Sequence, residues 1–281
     1  MINKEFFVIS GIHRSGTTFL AKLLNSNNFF SSIHEPLNFD VGIKKNKFWY
    51  PYHSLLNEKF IESTVLENVS KIDLDFKSPK KTLNPLRVFL KSKGNIDFLM
   101  HKYFFSKKKV LYKDPFMSMC GNYFLQKNQK TKMVYLIRHP KSFYKSNLKM
   151  GWDFDFGLFP LNGVLSDFPE LKSNIFLESH EERLYSLYNI IYFVIFLTIK
   201  KFPNQTYLLR HEDFCINPVE ETKRLCRFLH INYSSKHEKF IKKHMLNEED
   251  FIKKGKQFNF KRNSKKIAIE TLGKKITELE K

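Results

Sequence analysis

An apolar run, Phe6-Phe7-Val8-Ile9-Ser10, leads directly into Gly11-Ile12-His13-Arg14-Ser15-Gly16-Thr17-Thr18, after which Phe19, Leu20, Leu23 and Leu24 fall on one helical face. That order predicts a buried strand, a glycine turn and a helix over about residues 17–25. A strand buried on both faces needs parallel neighbours and helices above and below it, so this unit commits the chain to a layered α/β fold. Partners follow downstream. Short strands are expected at 110–112, 133–137 and 206–210, and Pro140 stands where a helix would begin, leading into 142–150. A long helix is expected from Ser179, with Glu182 completing a capping box, to about residue 201, where Pro203 stops it. Asn217-Pro218-Val219-Glu220 reads as another cap, with a helix to about 229. From Ser264 onward, Ala268, Leu272, Ile276 and Leu279 keep helical spacing.

Strands alternating with helices predict a three-layer, P-loop-like α/β fold with a mostly parallel central sheet. Residues about 40–105 and 151–178 are less periodic and more aromatic, and read as helical insertions and loops around a substrate site. Within the second, Gly151-Trp152-Asp153-Phe154-Asp155-Phe156-Gly157 is either a lid or a packed surface loop. With no repeats and no low-complexity linkers, residues 1–281 read as a single domain.

The glycine turn has the spacing of a phosphate loop, whose backbone N–H groups face an anion at a helix N-terminus. The usual Lys after the second glycine is replaced by Thr17, and Arg14 is the nearest cation. A nucleoside triphosphate site needs that Lys and a Mg²⁺ held by a hydroxyl and a carboxylate. This loop can cradle a phosphate, with Arg14 handling the transferred group; the bland alternative is a tight βα turn. A second signal is Leu136-Ile137-Arg138-His139-Pro140, with Ser146 eight residues after Arg138 and one helical turn beyond Ser142. Arg138 and Ser146 would grip a second phosphate, by a bidentate fork and a hydroxyl. Taken alone, a strand-end Arg is more often a surface ion pair.

Charge adds less than its size suggests. The formal net charge is +20, which favours an anionic ligand, but 30 Phe beside two Ala point to an AT-rich compositional skew that also inflates Lys. The basic residues are scattered along the chain, which argues against nucleic acid as the partner. The first apolar run is too short for a signal peptide, and the longest, residues 190–199, is about half a membrane span and reads as a buried helix. Cys120, Cys215 and Cys226 show no CxxC or Cys/His metal spacing. A reduced, cytoplasmic protein without a metal site is expected, and peripheral contact with an anionic membrane stays open.

Together, Arg14-Ser15-Gly16-Thr17-Thr18 and the Arg138/Ser146 pair resemble the cofactor signature of sulfotransferases that use 3′-phosphoadenosine-5′-phosphosulfate (PAPS). Leu209-Arg210-His211-Glu212-Asp213-Phe214, continuing through Asn217-Pro218 to Phe228-Leu229, resembles a third family stretch, with His211 in place of the usual Tyr. The resemblance implies that His13, Arg14, Ser15, Gly16, Thr17 and Thr18 hold the 5′-phosphosulfate and that Arg138 and Ser146 hold the 3′-phosphate. Glu35, in His34-Glu35-Pro36-Leu37, is similar to the "EPL" element of carbohydrate sulfotransferases. In its distance from Arg14 it also matches the catalytic Glu of tyrosylprotein sulfotransferases. Glu35 is therefore the expected general base, with His34 as the fallback. Arg14 would offset charge on the breaking S–O bond, and Lys113 of Lys113-Asp114-Pro115-Phe116 would be a further cation, unless Asp114 merely pairs with it in a turn. Lys261, Arg262 and Ser264 would close over the 3′-phosphate. A sulfuryl group carries less charge than a γ-phosphoryl, so arginines and backbone donors suffice without a metal.

The acceptor is expected to be a hydroxyl on a carbohydrate or glycolipid, with Phe48, Trp49, Tyr50, Tyr52 and Trp152 as stacking surfaces. With so many Phe, such clusters also arise as ordinary core. Two other readings stay open: a P-loop nucleotide kinase or NTPase, and a sulfotransferase acting on a phenol or protein tyrosine.

Overall fold

The computed structural model describes residues 4–56, 63–78, 92–103 and 109–246. At its centre lie five strands, β1 (Glu5–Gly11), β2 (Ser31–His34), β3 (Lys109–Lys113), β4 (Lys132–Ile137) and β5 (Thr206–Arg210), in the spatial order β2-β3-β1-β4-β5. Every pairing is parallel, with Val8 opposite Tyr112 on one side and Met133 on the other. Because β1 runs between β3 and β4, chain crossovers leave it in both directions. That reversal of strand order opens a crevice at the carboxyl ends of the strands.

Side-chain alternation along these strands builds the layers. Val8, Ile33, Tyr112, Met133 and Tyr135 point to one face, where they meet Leu184, Leu187, Ile191, Val194 and Ile195 of the long helix His180–Lys201. Phe7, Ile9, Leu111, Val134 and Leu136 point to the other, packing with α1 (Thr17–Leu24) through Leu20, Leu23 and Leu24, and with Leu225 of the helix Pro218–Phe228. The long helix reaches the length and hydropathy of a membrane span, yet half of it is buried under the sheet. It opens as the sequence predicts, with Glu182 N–H donating to Ser179 Oγ (3.1 Å) and Ser179 N–H to Glu182 Oε2 (2.8 Å).

The strands expected near 6–10, 110–112, 133–137 and 206–210 are all present. One detail differs, and two fill in the expected insertions. The helix after Asn217 begins with Pro218, but the Asn217 side chain makes no capping bond. The first insertion contains the helices Ser63–Lys71 and Lys93–Tyr103, and the second packs along β2, where a Cβ on Gly94 would overlap the His34 carbonyl. The stretch 151–157 is a packed loop rather than a free lid: His180 Nε2 donates to the Trp152 carbonyl (2.8 Å), Arg183 grips Asp153 with two nitrogens, and Phe154 is buried. Ser264 and the helical pattern after it lie outside the described residues.

Candidate active site

The ends of β1, β4, β2 and β3 carry the candidate site, and β5 leads into His211, which packs against the turn after β1. After β1 comes the glycine turn. Gly11 sits at φ 137°, where a Cβ would overlap the Leu136 carbonyl, and Gly16 at φ 106° precedes α1 against the His211 ring. Arg14 takes φ 66°, a left-handed value unusual outside glycine that costs on the order of 1 kcal/mol or more. The first intrahelical bonds run from Phe19 and Leu20 N–H to the Gly16 carbonyl, so the amides of Gly16, Thr17 and Thr18 lie ahead of the helical ladder. Ser15 is fully buried and its Oγ has no partner among the described residues. A buried hydroxyl left so costs about 1–3 kcal/mol, and an anion beside these amides would satisfy it.

Arg138 follows β4. Its Nη1 donates to the Arg14 carbonyl at 2.8 Å, its own carbonyl accepts from Tyr188 OH at 2.8 Å, and its Nε is buried without a partner among the described residues. Arg14 Nε donates to Ser146 Oγ at 3.1 Å. The turn and the Arg138/Ser146 pair, more than a hundred residues apart in sequence, thus form one cluster. Among the described residues neither arginine has a carboxylate within ion-pair distance. Burial lowers both guanidinium pKa values, which for Arg138 the nearby Glu212 partly opposes. Trp152, exposed, lies with its ring 5.6 Å from the Arg14 guanidinium.

Beyond β2 and β3 the chemistry changes sign. Glu35 N–H donates to the Lys113 carbonyl at 2.8 Å, carrying the ladder one residue past β2, and the chain then turns at φ 48°. Lys113 Nζ donates to Glu35 Oε1, and Asn38 Nδ2 to Oε2 at 2.8 Å. Burial pushes the Glu35 carboxyl up, but the charge of Lys113 and the bonds donated by Lys113 and Asn38 outweigh it, and its pKa is lowered overall. His34 Nε2 lies 3.6 Å from Glu35 Oε1, and burial beside Lys113 pushes the ring down to about 3, so it is neutral at physiological pH. Asp114 does not pair with Lys113. Its carboxylate accepts instead from the Leu37 (2.7 Å) and Phe116 (2.9 Å) amides, tying the β2 and β3 turns together.

Some expected residues have other work. His13 leaves no ring nitrogen for a ligand: its N–H and Nδ1 both meet Tyr50 OH, and Nε2 meets Asn147 Oδ1. Tyr50 and Tyr52 are buried, with Tyr52 OH donating to Asp167 at 2.6 Å, so neither offers a stacking face. Trp49 is half-buried against Phe39 and Phe116, and Phe48 is half-buried. The His211 ring lies beneath Gly16, and burial with Arg138 nearby pushes it down to about 3. Lys261 and Arg262 lie outside the described residues. Sequence reasoning missed Asn38 and Asn147. Asn38 has a weak signal, three residues after Glu35 in a proline turn; Asn147 has none beyond adjacency to Ser146.

A sequence model described as the sulfotransferase family matches residues 7–235. Solved structures similar to the chain include the sulfotransferase domain of the curacin biosynthetic pathway, 13% identical, covering 96% of this chain and 97% of that one at a TM-score of 0.45. The sulfotransferase domain of the Synechococcus PCC 7002 olefin synthase is 14% identical, covering 84% and 76% at a TM-score of 0.41. Sulfotransferase STF1 from Mycobacterium tuberculosis H37Rv is 12% identical, covering 86% and 71% at a TM-score of 0.45. No curated protein matches the chain in sequence. By the extent of the family match, the chain belongs to the sulfotransferase family.

Proposed function

From that membership, we propose that the chain moves the sulfuryl group of PAPS to an acceptor hydroxyl on a carbohydrate or glycolipid. The observation that carries this reading is the cluster of Arg14, Arg138 and Ser146 around the glycine turn, with an ionised Glu35 two strands away. The residues suit a donor with two anionic ends. The unpartnered Ser15 Oγ and Arg138 Nε are buried donors, and the amides before α1 face the same turn.

In this reading the turn's amides and Ser15 hold the 5′ end, and Arg138 with Ser146 holds the 3′-phosphate. When bound, PAPS supplies an activated sulfuryl group on a phosphate leaving group. Arg14 neutralises charge growing on the bridging oxygen. Glu35 takes the acceptor proton on the carboxylate that Asn38 and Lys113 orient, while His34, far less basic than a free imidazole, stays a neutral neighbour. The carbohydrate part rests on the likeness of Glu35-Pro36-Leu37 to carbohydrate enzymes and on the exposed Trp152 face beside Arg14. Incubation with ³⁵S-labelled PAPS and cell-extracted sugars, glycolipids, phenols and peptides, read by mass spectrometry, tests it. Labelled sugars are expected. Labelling of phenols or tyrosyl peptides alone would discard the carbohydrate acceptor, and no transfer despite donor binding would discard the enzyme reading.

A further inference from the structure

Two hydrogen bonds run side by side between the glycine turn and the helix Pro140–Leu148. One joins His13 Nε2 to Asn147 Oδ1 at 2.9 Å, the other Arg14 Nε to Ser146 Oγ at 3.1 Å. Consecutive residues of the turn thus meet consecutive residues of the helix, like two rungs of a ladder. The rungs differ in kind. The outer one joins a cation to a hydroxyl, both half-exposed, and both groups have phosphate oxygens as natural alternative partners. The inner one is between neutral groups: Asn147 is fully buried, and burial pushes the His13 ring down to about 4.

Tyr50 closes the inner rung from a third direction. Its hydroxyl accepts from the His13 N–H (2.9 Å) and donates to Nδ1 (2.6 Å). The ring proton must then sit on Nε2, where Asn147 Oδ1 accepts it, and Asn147 Nδ2 is spent on the Phe143 carbonyl at 2.9 Å. Tyr50 is itself wedged between Phe116 and Phe159 and held at φ 53°. Every side-chain nitrogen and oxygen of this trio makes a hydrogen bond within the protein, and none needs a ligand to complete it.

We infer that His13, Asn147 and Tyr50 are positioning residues that set the spacing between the turn's anion cradle and the Arg138–Ser146 pair, making the site selective for a nucleotide with phosphates at both its 5′ and 3′ positions. This rests on the donor reading above. Holding both phosphates at once requires both sets of donors at hydrogen-bond distance together, and a cradle free to drift would spend the second contact on ordering itself.

The test is calorimetry on the full chain with adenosine 3′,5′-bisphosphate and adenosine 5′-phosphate, for the unmodified protein, Asn147→Ala, His13→Ala and the double variant. The unmodified protein should prefer the bisphosphate. Asn147→Ala should cut that preference about tenfold while affinity for the monophosphate stays within about threefold, and the double variant should add little to either single change. Should Asn147→Ala fail to fold, Tyr50→Phe, which removes one hydroxyl from a buried ring, gives the same readout. Equal weakening of both ligands, or an unchanged preference, overturns the inference and leaves the donor reading standing. An unmodified protein with no preference for the bisphosphate overturns both.

Discussion

The strand ends of β1 and β4 and those of β2 and β3 carry their charges in opposite ways. At the first pair, Arg14 and Arg138 bond to neutral oxygens, Ser146 Oγ and the Arg14 carbonyl, and no described carboxylate comes within ion-pair distance. At the second, Lys113 and Glu35 are locked onto each other with little exposure. A half-buried cation without a counter-charge gains most from an incoming anion, whereas a buried ion pair gains nothing from one and is costly to break. In the proposed reaction the first region would bind the anionic donor, and the second would keep a carboxylate ionised to take the acceptor proton.

The deepest test of that division is Glu35→Gln, which keeps the shape but cannot accept a proton. It should lower kcat on the order of 10²–10⁴-fold while donor affinity by calorimetry stays within a few-fold. If it turned over normally and His34→Ala were inactive, the base would be His34. Next in size is Arg138→Ala, which should weaken adenosine 3′,5′-bisphosphate by about 1.5–3 kcal/mol and barely affect adenosine 5′-phosphate. Equal losses would refute a role at the 3′ end.

A pH profile sharpens the other half. Glu35 has a lowered pKa in the folded chain, so the stability its pairing adds is present at neutral pH and lost as pH falls through that lowered value. Lys113→Met removes the largest lowering influence and leaves burial to raise the carboxyl. The acid limb of kcat/KM should therefore move to higher pH; an unmoved limb would mean that another group titrates. The smallest effect expected is from Trp152→Ala, because its ring contacts Arg14 at an exposed position. An exposed cation–π contact is worth about 0.5–1 kcal/mol, so donor affinity should fall only a few-fold, with a larger rise in acceptor KM if the ring also carries the sugar.

The region at the ends of β1 and β4 was the more legible of the two in sequence, and for a physical reason. Inner parallel strands buried on both faces read as apolar runs, so β1 and β4 announce themselves, and the glycines between β1 and α1 mark a backbone shape few other residues adopt. β2, with Ser31, Ser32 and His34 around a single Ile33, carries no such run. Lys113 and Asp114, adjacent in sequence, read as a natural pair, yet one turns to Glu35 and the other to backbone amides. Tyr50 and Trp152 look equally fit to stack on a sugar, but one is core and the other surface, a difference set by tertiary packing alone. The bond from His13 to Asn147 spans 134 residues and leaves no local trace.

The register of the sheet has a consequence for biosynthesis. β1 finds its neighbours at Phe6–Val110 and Val8–Met133, so the turn that follows β1 is framed only after β4 has emerged. At ~5–20 residues per second that interval is on the order of ten seconds. Throughout it Phe6-Phe7-Val8-Ile9 is an apolar segment without a sheet, the kind of nascent stretch that chaperones recognise and that pairs wrongly when crowded. Distant pairings of this sort also slow refolding. The glycine turn is thus synthesised well before the strands that frame it, and it waits for the middle of the protein to arrive.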